Sequence, residues 1–155
     1  LLVVSERYRR RSTGPSYKLP GGALHPGEHL VDGVIREIKE ETGVRTKFES
    51  VVCFRHWHGY RFGKSDIYFV CRLSPLSQDI SMQVEEIAEC LWMPVDEYLG
   101  SEDVSTFNKR IVESEFFAYR NVLAGNERPG ASHPKFGSQE WFIKYVSLSP
   151  RSSMV

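Results

Sequence analysis

The stretch Gly22–Val44 reads G-A-L-H-P-G-E-H-L-V-D-G-V-I-R-E-I-K-E-E-T-G-V and carries the strongest structural signal in the chain. Over residues 29–42 its apolar residues recur every three or four positions, which is the period of one helix face. Pro26-Gly27 interrupts the chain ahead of this segment. Gly43 stands where a helix commonly ends in the left-handed conformation. The pattern predicts a loop, a helix over 29–42 and a second loop.

Three glutamates share one flank of the predicted helix. At about 100° per residue, Glu37 and Glu41 fall at the edge of the apolar arc, and Glu40 lies just beyond them. Like charges one turn apart destabilise a helix, and partial burial of carboxylates adds to that cost. Mg²⁺ or Mn²⁺ offsets both, because hard cations prefer carboxylate, carbonyl and water oxygens. The flank predicts a divalent-metal site, where Gly33 leaves bare space for a phosphate.

A solvated surface helix is the other interpretation of these residues. In that case the glutamates pair with Arg36 and Lys39 and hold no metal. The complete spacing of the segment favours the metal site. A protein can nevertheless keep such a pattern after losing catalysis.

The spacing resembles the Nudix box. Gly22 is followed by five residues and Glu28, then by seven residues and the run 36–44, without one departure from the box. The chain is therefore similar to Nudix hydrolases. The resemblance implies an α+β fold, an α/β/α sandwich with a mixed sheet between helices and a loop-helix-loop metal site. It also implies hydrolysis of a diphosphate bond in a nucleoside diphosphate derivative, with Mg²⁺ or Mn²⁺ as cofactor.

The same resemblance assigns roles within the box. The main-chain carbonyl of Gly22 would hold metal together with the three glutamates. Glu28 and Arg36 would lock the loop to the helix through a charged, hydrogen-bonded contact. The expected catalytic group is Glu28, Arg36, Glu37, Glu40 and Glu41.

The sequence leaves the general base open. Hydrolysis needs a carboxylate within about 3 Å of the attacking water, and a box glutamate could serve while binding metal. Related enzymes often draw the base from a loop far downstream, where Glu85, Glu86 and Glu89 lie. Ordinary acidic loop surface is the alternative for each of these three.

Four segments outside the box bear on the substrate. Residues 17–22, 54–58, 63–71 and 88–94 look like the Nudix proteins of the fibroblast growth factor antisense type and their plant cytosolic relatives. Members of that plant group are associated with ADP-ribose and reduced NAD. The resemblance thus implies a small nucleotide substrate, ADP-ribose or NADH, cut to AMP and the other phosphorylated half. A homodimer is a further family expectation.

Four residues are candidates for holding that substrate. Arg55 and His56 stand near the end of a predicted strand, Lys64 stands just before the next one, and Glu86 lies in the acidic loop. Arg55 and a histidine could reach a phosphate or a nucleobase. The alternative for each is a polar residue of the surface or of an edge strand.

A catalytically weak regulatory or nucleotide-binding Nudix module is the alternative function. The chain opens Leu1-Leu2-Val3-Val4 as a strand already under way, whereas a Nudix domain normally has a strand before this one. The predicted Nudix domain therefore covers residues 1–123 and lacks its first strand. Residues 124–155 read as a linker and tail that could add a strand at 141–146.

Composition excludes several other classes. The chain has 155 residues, 41% of them hydrophobic, which suits one core. Its 20 basic and 20 acidic residues give no overall positive field, which argues against nucleic acid as partner. No run is apolar enough for a membrane span. Cys53, Cys71 and Cys90 predict core thiols of a reducing compartment, hence the cytoplasm, although an upstream targeting segment would lie outside this sequence.

The remaining elements follow from strand and helix signals. We predict strands over 48–54, 67–73 and 88–93, a short helix over 94–99 and a longer helix over 106–122 that Ser105 caps.

Overall fold

The computed structural model describes residues 1–7, 16–58, 65–123 and 142–147. Runs of strands alternate with helices along these ranges. The strands are β1 (Leu2–Glu6), β2 (Tyr17–Lys18), β3 (Gly21–Ala23), β4 (Thr46–His58), β5 (Ser65–Pro75), β6 (Ile87–Trp92) and β7 (Phe142–Ser147). The helices are α1 (Leu30–Thr42), α2 (Val95–Gly100) and α3 (Thr106–Leu123).

The strands form two sheets. One is antiparallel, with strand order β2-β1-β6. The other has the order β3-β7-β5-β4 and is mixed, because β3 runs parallel to β7 while the other pairs are antiparallel. The predicted α+β fold with a mixed sheet is confirmed.

Alternation along the strands divides the apolar side chains between two cores. In β1, Val3 packs on the side of α2 and α3, whereas Leu2 packs on the side of α1. Val70 and Cys71 of β5 divide in the same way. The α3-side core consists of Leu1, Val3, Leu19, Val70, Met93, Tyr98, Val104, Ile111 and Val112. The α1-side core consists of Leu2, Val34, Ile38, Val44, Cys71 and Leu73.

Helix α1 buries a face that includes acidic residues. Val34 and Ile38 are fully buried in the α1-side core, whereas Val31 is 39% exposed. The buried residues of the helix are Gly33, Val34, Glu37, Ile38, Glu41 and Thr42. Val31, one of the apolar residues behind the predicted helix face, is exposed because the buried face is rotated toward the two glutamates that adjoin β3.

The C-terminus of α1 is capped by its own glycine and by the loop 76–86. Gly43 has φ 76°, and its N–H donates to the carbonyl of Lys39 at 2.9 Å. From the loop, the N–H of Ser81 donates to the carbonyl of Thr42 at 2.9 Å, and the N–H of Gln83 donates to that of Glu41 at 3.1 Å. These bonds satisfy carbonyls that a helix end leaves free. They also fix the acidic loop beside α1.

The other predicted elements are present, with shifted bounds. The strands β4 and β5 run longer than predicted, at Thr46–His58 and Ser65–Pro75. The predicted cap of α3 is confirmed, since the N–H of Asn108 donates to Ser105 Oγ at 3.3 Å. Strand β7 lies inside the mixed sheet, between β3 and β5. Of the predicted linker and tail over 124–155, the structure describes only residues 142–147.

The cysteines divide differently from the prediction. Cys71 is buried and Cys90 is partly buried, but Cys53 is exposed, so its interpretation as a core thiol is wrong. Cys53 lies on β4, at one edge of the mixed sheet, next to a register shift between Val51 and Cys53. Such a bulge reorients a strand's side chains.

Within the described ranges, no helix combines the length and apolarity that crossing a bilayer requires.

We predict that Gly43→Ala destabilises the protein by about 2 kcal/mol or more. An L residue pays a strain of about 1–2 kcal/mol in the left-handed conformation. In addition, a Cβ here would lie 2.8 Å from main-chain atoms of Ser81, which cannot move as a side chain can. Urea denaturation measures the change in the free energy of unfolding.

Gly100→Ala is the matched control for that variant. Gly100 ends α2, and among the described residues no atom outside its own helix and chain neighbours lies within 4 Å of the place a Cβ would take. Its unfolding free energy should stay within about 1 kcal/mol of the parent. Equal losses in the two variants would contradict the cap described above.

Candidate active site

The main chain of β3 lies against two acidic side chains of α1. A Cβ on Gly22 would lie 2.1 Å from Glu37 Oε2, so the carboxylate occupies the place of the missing side chain. The N–H of Gly21 donates to Glu41 Oε2 at 2.8 Å in a buried hydrogen bond. The two glycines therefore allow both carboxylates to sit at the sheet edge.

Both of these carboxylates are buried, and one oxygen lacks a hydrogen bond. Glu37 is 6% exposed and Glu41 is 7% exposed. Glu37 Oε1 has no hydrogen-bond partner, although Arg36 Nη1 lies 3.1 Å away in an ion pair whose geometry is not that of a hydrogen bond. A buried charged oxygen without a hydrogen bond is costly. The position of Glu37 therefore suits an additional cation.

Arg36 binds the preceding loop through a bidentate contact. Its Nε donates to Glu28 Oε1 at 2.7 Å, and its Nη2 donates to Glu28 Oε2 at 2.8 Å. The N–H of His25 donates to Glu28 Oε2 at 2.9 Å, and Nη2 also reaches the carbonyl of Ala23 at 3.2 Å. The Arg36 hydrogen bonds, followed by the His25 amide, lower the pKa of Glu28 to about 2. The same contact raises the pKa of Arg36.

Arg36 also reaches Glu40 on the outer side of the helix. Its Nη1 donates to Glu40 Oε2 at 2.8 Å, and the Glu40 side chain is 53% exposed. One guanidinium thus contacts Glu28, Glu37 and Glu40. In the part of the chain that the structure describes, no three His, Cys, Asp or Glu side chains gather as a set of metal ligands.

The expected space beside Gly33 is filled. A Cβ on Gly33 would lie 2.1 Å from Leu24 Cδ2 and 3.0 Å from Glu28 Oε2. The expectation of a phosphate path there is wrong, because the Glu28–Arg36 contact draws the loop over this part of α1. Gly33 instead permits the loop to pack closely.

The downstream glutamates lie in two environments. Glu85 and Glu86 are exposed and follow Gln83, whose main chain is bonded to α1. Glu89 instead accepts a hydrogen bond of 2.7 Å from the hydroxyl of Tyr17, which raises the pKa of Tyr17. The Tyr17 side chain packs against the α3-side core. Glu89 therefore lies on the sheet face away from α1.

Cys90 is a neighbour of the acidic group that the sequence did not reveal. Burial, and then the charge of Glu41, raise the pKa of its thiol to about 12. Cys90 packs against the α1-side core. The sequence held one signal for this position. Neighbouring residues of a strand face opposite sides, and Leu91 packs on the α3 side, so Cys90 faces α1. The thiol stays protonated beside the carboxylate at neutral pH.

The candidate substrate residues are not gathered in one place. Arg55 lies over the ring of Phe107, 4.5 Å from its centroid, and that ring contacts Tyr68 edge-on at 5.7 Å. Arg55 therefore belongs to the α3 side. His56 follows it on the opposite face of β4 and is exposed. Glu86 lies at the end of the loop 76–86, and Lys64 lies outside the described residues.

Comparisons with known proteins show the family to which this chain belongs. The NUDIX domain family matches residues 1–114. "Nudix hydrolase 2" of Arabidopsis thaliana is 44% identical over 107 residues, covering 69% of this chain and 38% of that protein. "Nudix hydrolase 8" of the same plant is 41% identical over 115 residues, covering 73% of this chain and 31% of that protein.

A human relative extends the likeness beyond plants. "Nucleoside diphosphate-linked moiety X motif 6" of Homo sapiens is 35% identical over 122 residues, covering 77% of this chain and 38% of that protein. The chain thus spans about a third of the length of the relatives it matches.

We predict that Glu28→Gln removes a pH-dependent part of the stability. Because the folded pKa is about 2 against an ordinary 4.5, this carboxylate stabilises the fold above pH 4.5 and loses that effect as the pH falls toward 2. The variant should be less stable by about 1–2 kcal/mol at pH 7, and the pH-dependent part of the difference should shrink to about 0.4 kcal/mol near pH 2.

Urea denaturation between pH 2 and pH 7 measures this difference. Glu102→Gln is the control, since Glu102 is an exposed carboxylate far along the chain. If the difference in unfolding free energy between Glu28→Gln and the parent stays constant with pH, the proposed link to Arg36 is contradicted.

Proposed function

The chain belongs to the NUDIX domain family, and we propose that it hydrolyses a diphosphate bond in a nucleoside diphosphate derivative with a divalent metal ion. The proposed substrate is ADP-ribose or NADH, giving AMP and the other phosphorylated half. The observation that carries the proposal is the buried oxygen of Glu37, which lacks a hydrogen bond and faces the glycine edge of β3.

The residues at this edge fit Mg²⁺ or Mn²⁺. The carboxylates of α1 offer oxygen donors, and the Glu37 oxygen that lacks a hydrogen bond would be stabilised by a cation. We assign the metal to the carbonyl of Gly22 and to Glu37, Glu40 and Glu41. When bound, such an ion neutralises the diphosphate and activates a water molecule for attack on phosphorus.

The protein's own groups would prepare the reaction by holding these carboxylates in place. The N–H of Gly21 fixes one oxygen of Glu41, so its other oxygen has a defined direction. Glu28 and Arg36 brace the loop against α1 and keep it from separating when a charged substrate arrives. Positioning of this kind is worth several kcal/mol of the barrier in metal hydrolases, because the ligands need not reorganise.

The general base and the substrate contacts are parts of the same proposal. Glu85 and Glu86 are the favoured downstream bases, since Gln83 ties their loop to the main chain of Glu41. Arg55, His56 and Lys64 are proposed substrate contacts, with Glu86 as a further one. Arg55 would act from the α3 side, where Phe107 supports its guanidinium.

A nucleotide-binding module without turnover is the second candidate function. It is favoured by the guanidinium of Arg36, which already lies against Glu37 and Glu40 and supplies an internal cation. Saturable nucleotide binding without product release, in metal-loaded protein of full length, would support it.

The extent of the catalytic unit, its location and its assembly are further parts of the proposal. We propose residues 1–123 together with the added strand β7 as the catalytic unit. We also propose a cytoplasmic location, which suits cysteines that form no disulfide among the described residues, and a homodimer as the assembly. Light scattering would test the dimer.

We predict that Gly22→Ala weakens Mn²⁺ binding by about tenfold or more. Its Cβ would overlap the carboxylate of Glu37, a flexible group that can move away while the fold remains. Isothermal titration with Mn²⁺ measures the affinity. Gly100→Ala serves again as control, and unchanged affinity in Gly22→Ala would contradict the assignment of Glu37 to the metal.

We predict that Glu41→Gln lowers metal-dependent turnover by a factor on the order of 100 or more. The amide can still accept the bond from Gly21, so the loss reflects charge rather than position. Phosphate-product release is measured on ADP-ribose, NADH, NAD, FAD and nucleoside triphosphates, with metal and with chelator.

Glu113→Gln is the matched control for Glu41→Gln, because Glu113 is exposed on α3. Full turnover in Glu41→Gln would contradict the mechanism. Silence of the parent protein across all substrates would move the assignment to the binding module.

A further inference from the structure

The outer end of β4 carries two histidines in one orientation. His56 and His58 are separated by one residue, so strand alternation places them on the same face. Their ring centroids are 4.0 Å apart, and both side chains are exposed. Pairing with Ile67 and Ser65 of β5 fixes the backbone beneath them. The pair is thus held on a sheet rather than on a free loop.

Two imidazoles this close can share one metal ion. In a tetrahedral site with bonds of about 2.0–2.1 Å, two ligand nitrogens lie about 3.3 Å apart and the two ring centroids about 5 Å apart. The exposed rings, whose centroids are now 4.0 Å apart, move apart by rotation about side-chain bonds to bind one ion. Each neutral imidazole offers a ring-nitrogen lone pair to a metal ion, so one ion can be shared by both rings.

Ser65 provides a contact that orients one of the rings. Its Oγ lies 3.5 Å from His58 Nδ1, at the long end of a hydrogen bond. If Nδ1–H donates to this hydroxyl, Nε2 of His58 carries the lone pair that binds metal. Hydrogen bonds of this kind select the tautomer of metal-binding histidines.

We propose that His56 and His58 form a two-imidazole site for a borderline divalent ion of the Zn²⁺, Ni²⁺ or Cu²⁺ type. It is separate from the carboxylates of α1, whose oxygens favour Mg²⁺ or Mn²⁺. In the described ranges, no third His, Cys, Asp or Glu lies with His56 and His58 as a further ligand. Water or an outside ligand therefore completes the coordination. The site shares His56 with the proposed substrate contacts, but it rests on the geometry of the pair and not on the proposed hydrolysis.

Zn²⁺ binding to the whole chain, in excess Mg²⁺ to occupy the carboxylates, tests the site. Isothermal titration should show one Zn²⁺ per chain. His56→Gln and His58→Gln should each weaken it by about tenfold or more, and Ser65→Ala by less. His29→Gln is the matched control, since His29 is exposed and makes no side-chain cap bond on α1. Its Zn²⁺ affinity should equal that of the parent.

Imidazole proton resonances of the unmodified protein provide a readout that needs no variant. Zn²⁺ should shift the His56 and His58 signals together at one equivalent. Unchanged Zn²⁺ affinity in both variants, a loss in His29→Gln, a loss only in Glu41→Gln, or unshifted His56 and His58 signals would each overturn the proposal.

Discussion

The close approach of β3 to helix α1 is the contact on which the site depends. Gly21 donates its N–H to Glu41, and Gly22 leaves the place of a side chain to the Glu37 carboxylate. A sheet edge and a helix face can meet this closely only where the edge has no Cβ atoms. The parallel pairing of β3 with β7 fixes the edge within the mixed sheet. The carboxylates are thus positioned by main-chain geometry.

This approach buries negative charge, and the surrounding groups respond to it. Arg36 contacts Glu28, Glu37 and Glu40, which joins the loop, the buried face and the exposed flank through one planar group. Yet one oxygen of Glu37 still lacks a hydrogen bond. Buried carboxylates are tolerated when paired and costly when not. The Glu37 oxygen at the edge of β3 therefore supports the proposed metal site.

Some of this arrangement could be predicted from the sequence. Periodicity located α1, Gly43 located its end, and the arc of apolar residues placed Glu37 and Glu41 near the buried side. These features are local, so residue spacing reports them directly. The bidentate Glu28–Arg36 contact was accessible only through the resemblance, since residue types eight positions apart do not specify a hydrogen bond.

Other features depend on tertiary contacts and were missed. The strands β2 and β3 have two and three residues, too few for an alternation pattern. The rotation of the buried face, which exposes Val31, is set by β3 and not by the helix alone. Gly33 lies under Leu24 because Arg36 pulls the loop across it. The position of Glu89 on the α3 side follows from its bond to Tyr17, a residue 72 positions away.

Anomalous diffraction from crystals grown with Mn²⁺ tests the central claim most directly. The β3–α1 arrangement predicts a peak about 2 Å from Glu37 Oε1, with Glu41 and the carbonyl of Gly22 around the same ion. The same crystals should also be grown with a nucleotide. If nucleotide is bound, Glu37 remains against Arg36 and no Mn²⁺ peak is found there, the assignment of this edge as a metal site is contradicted.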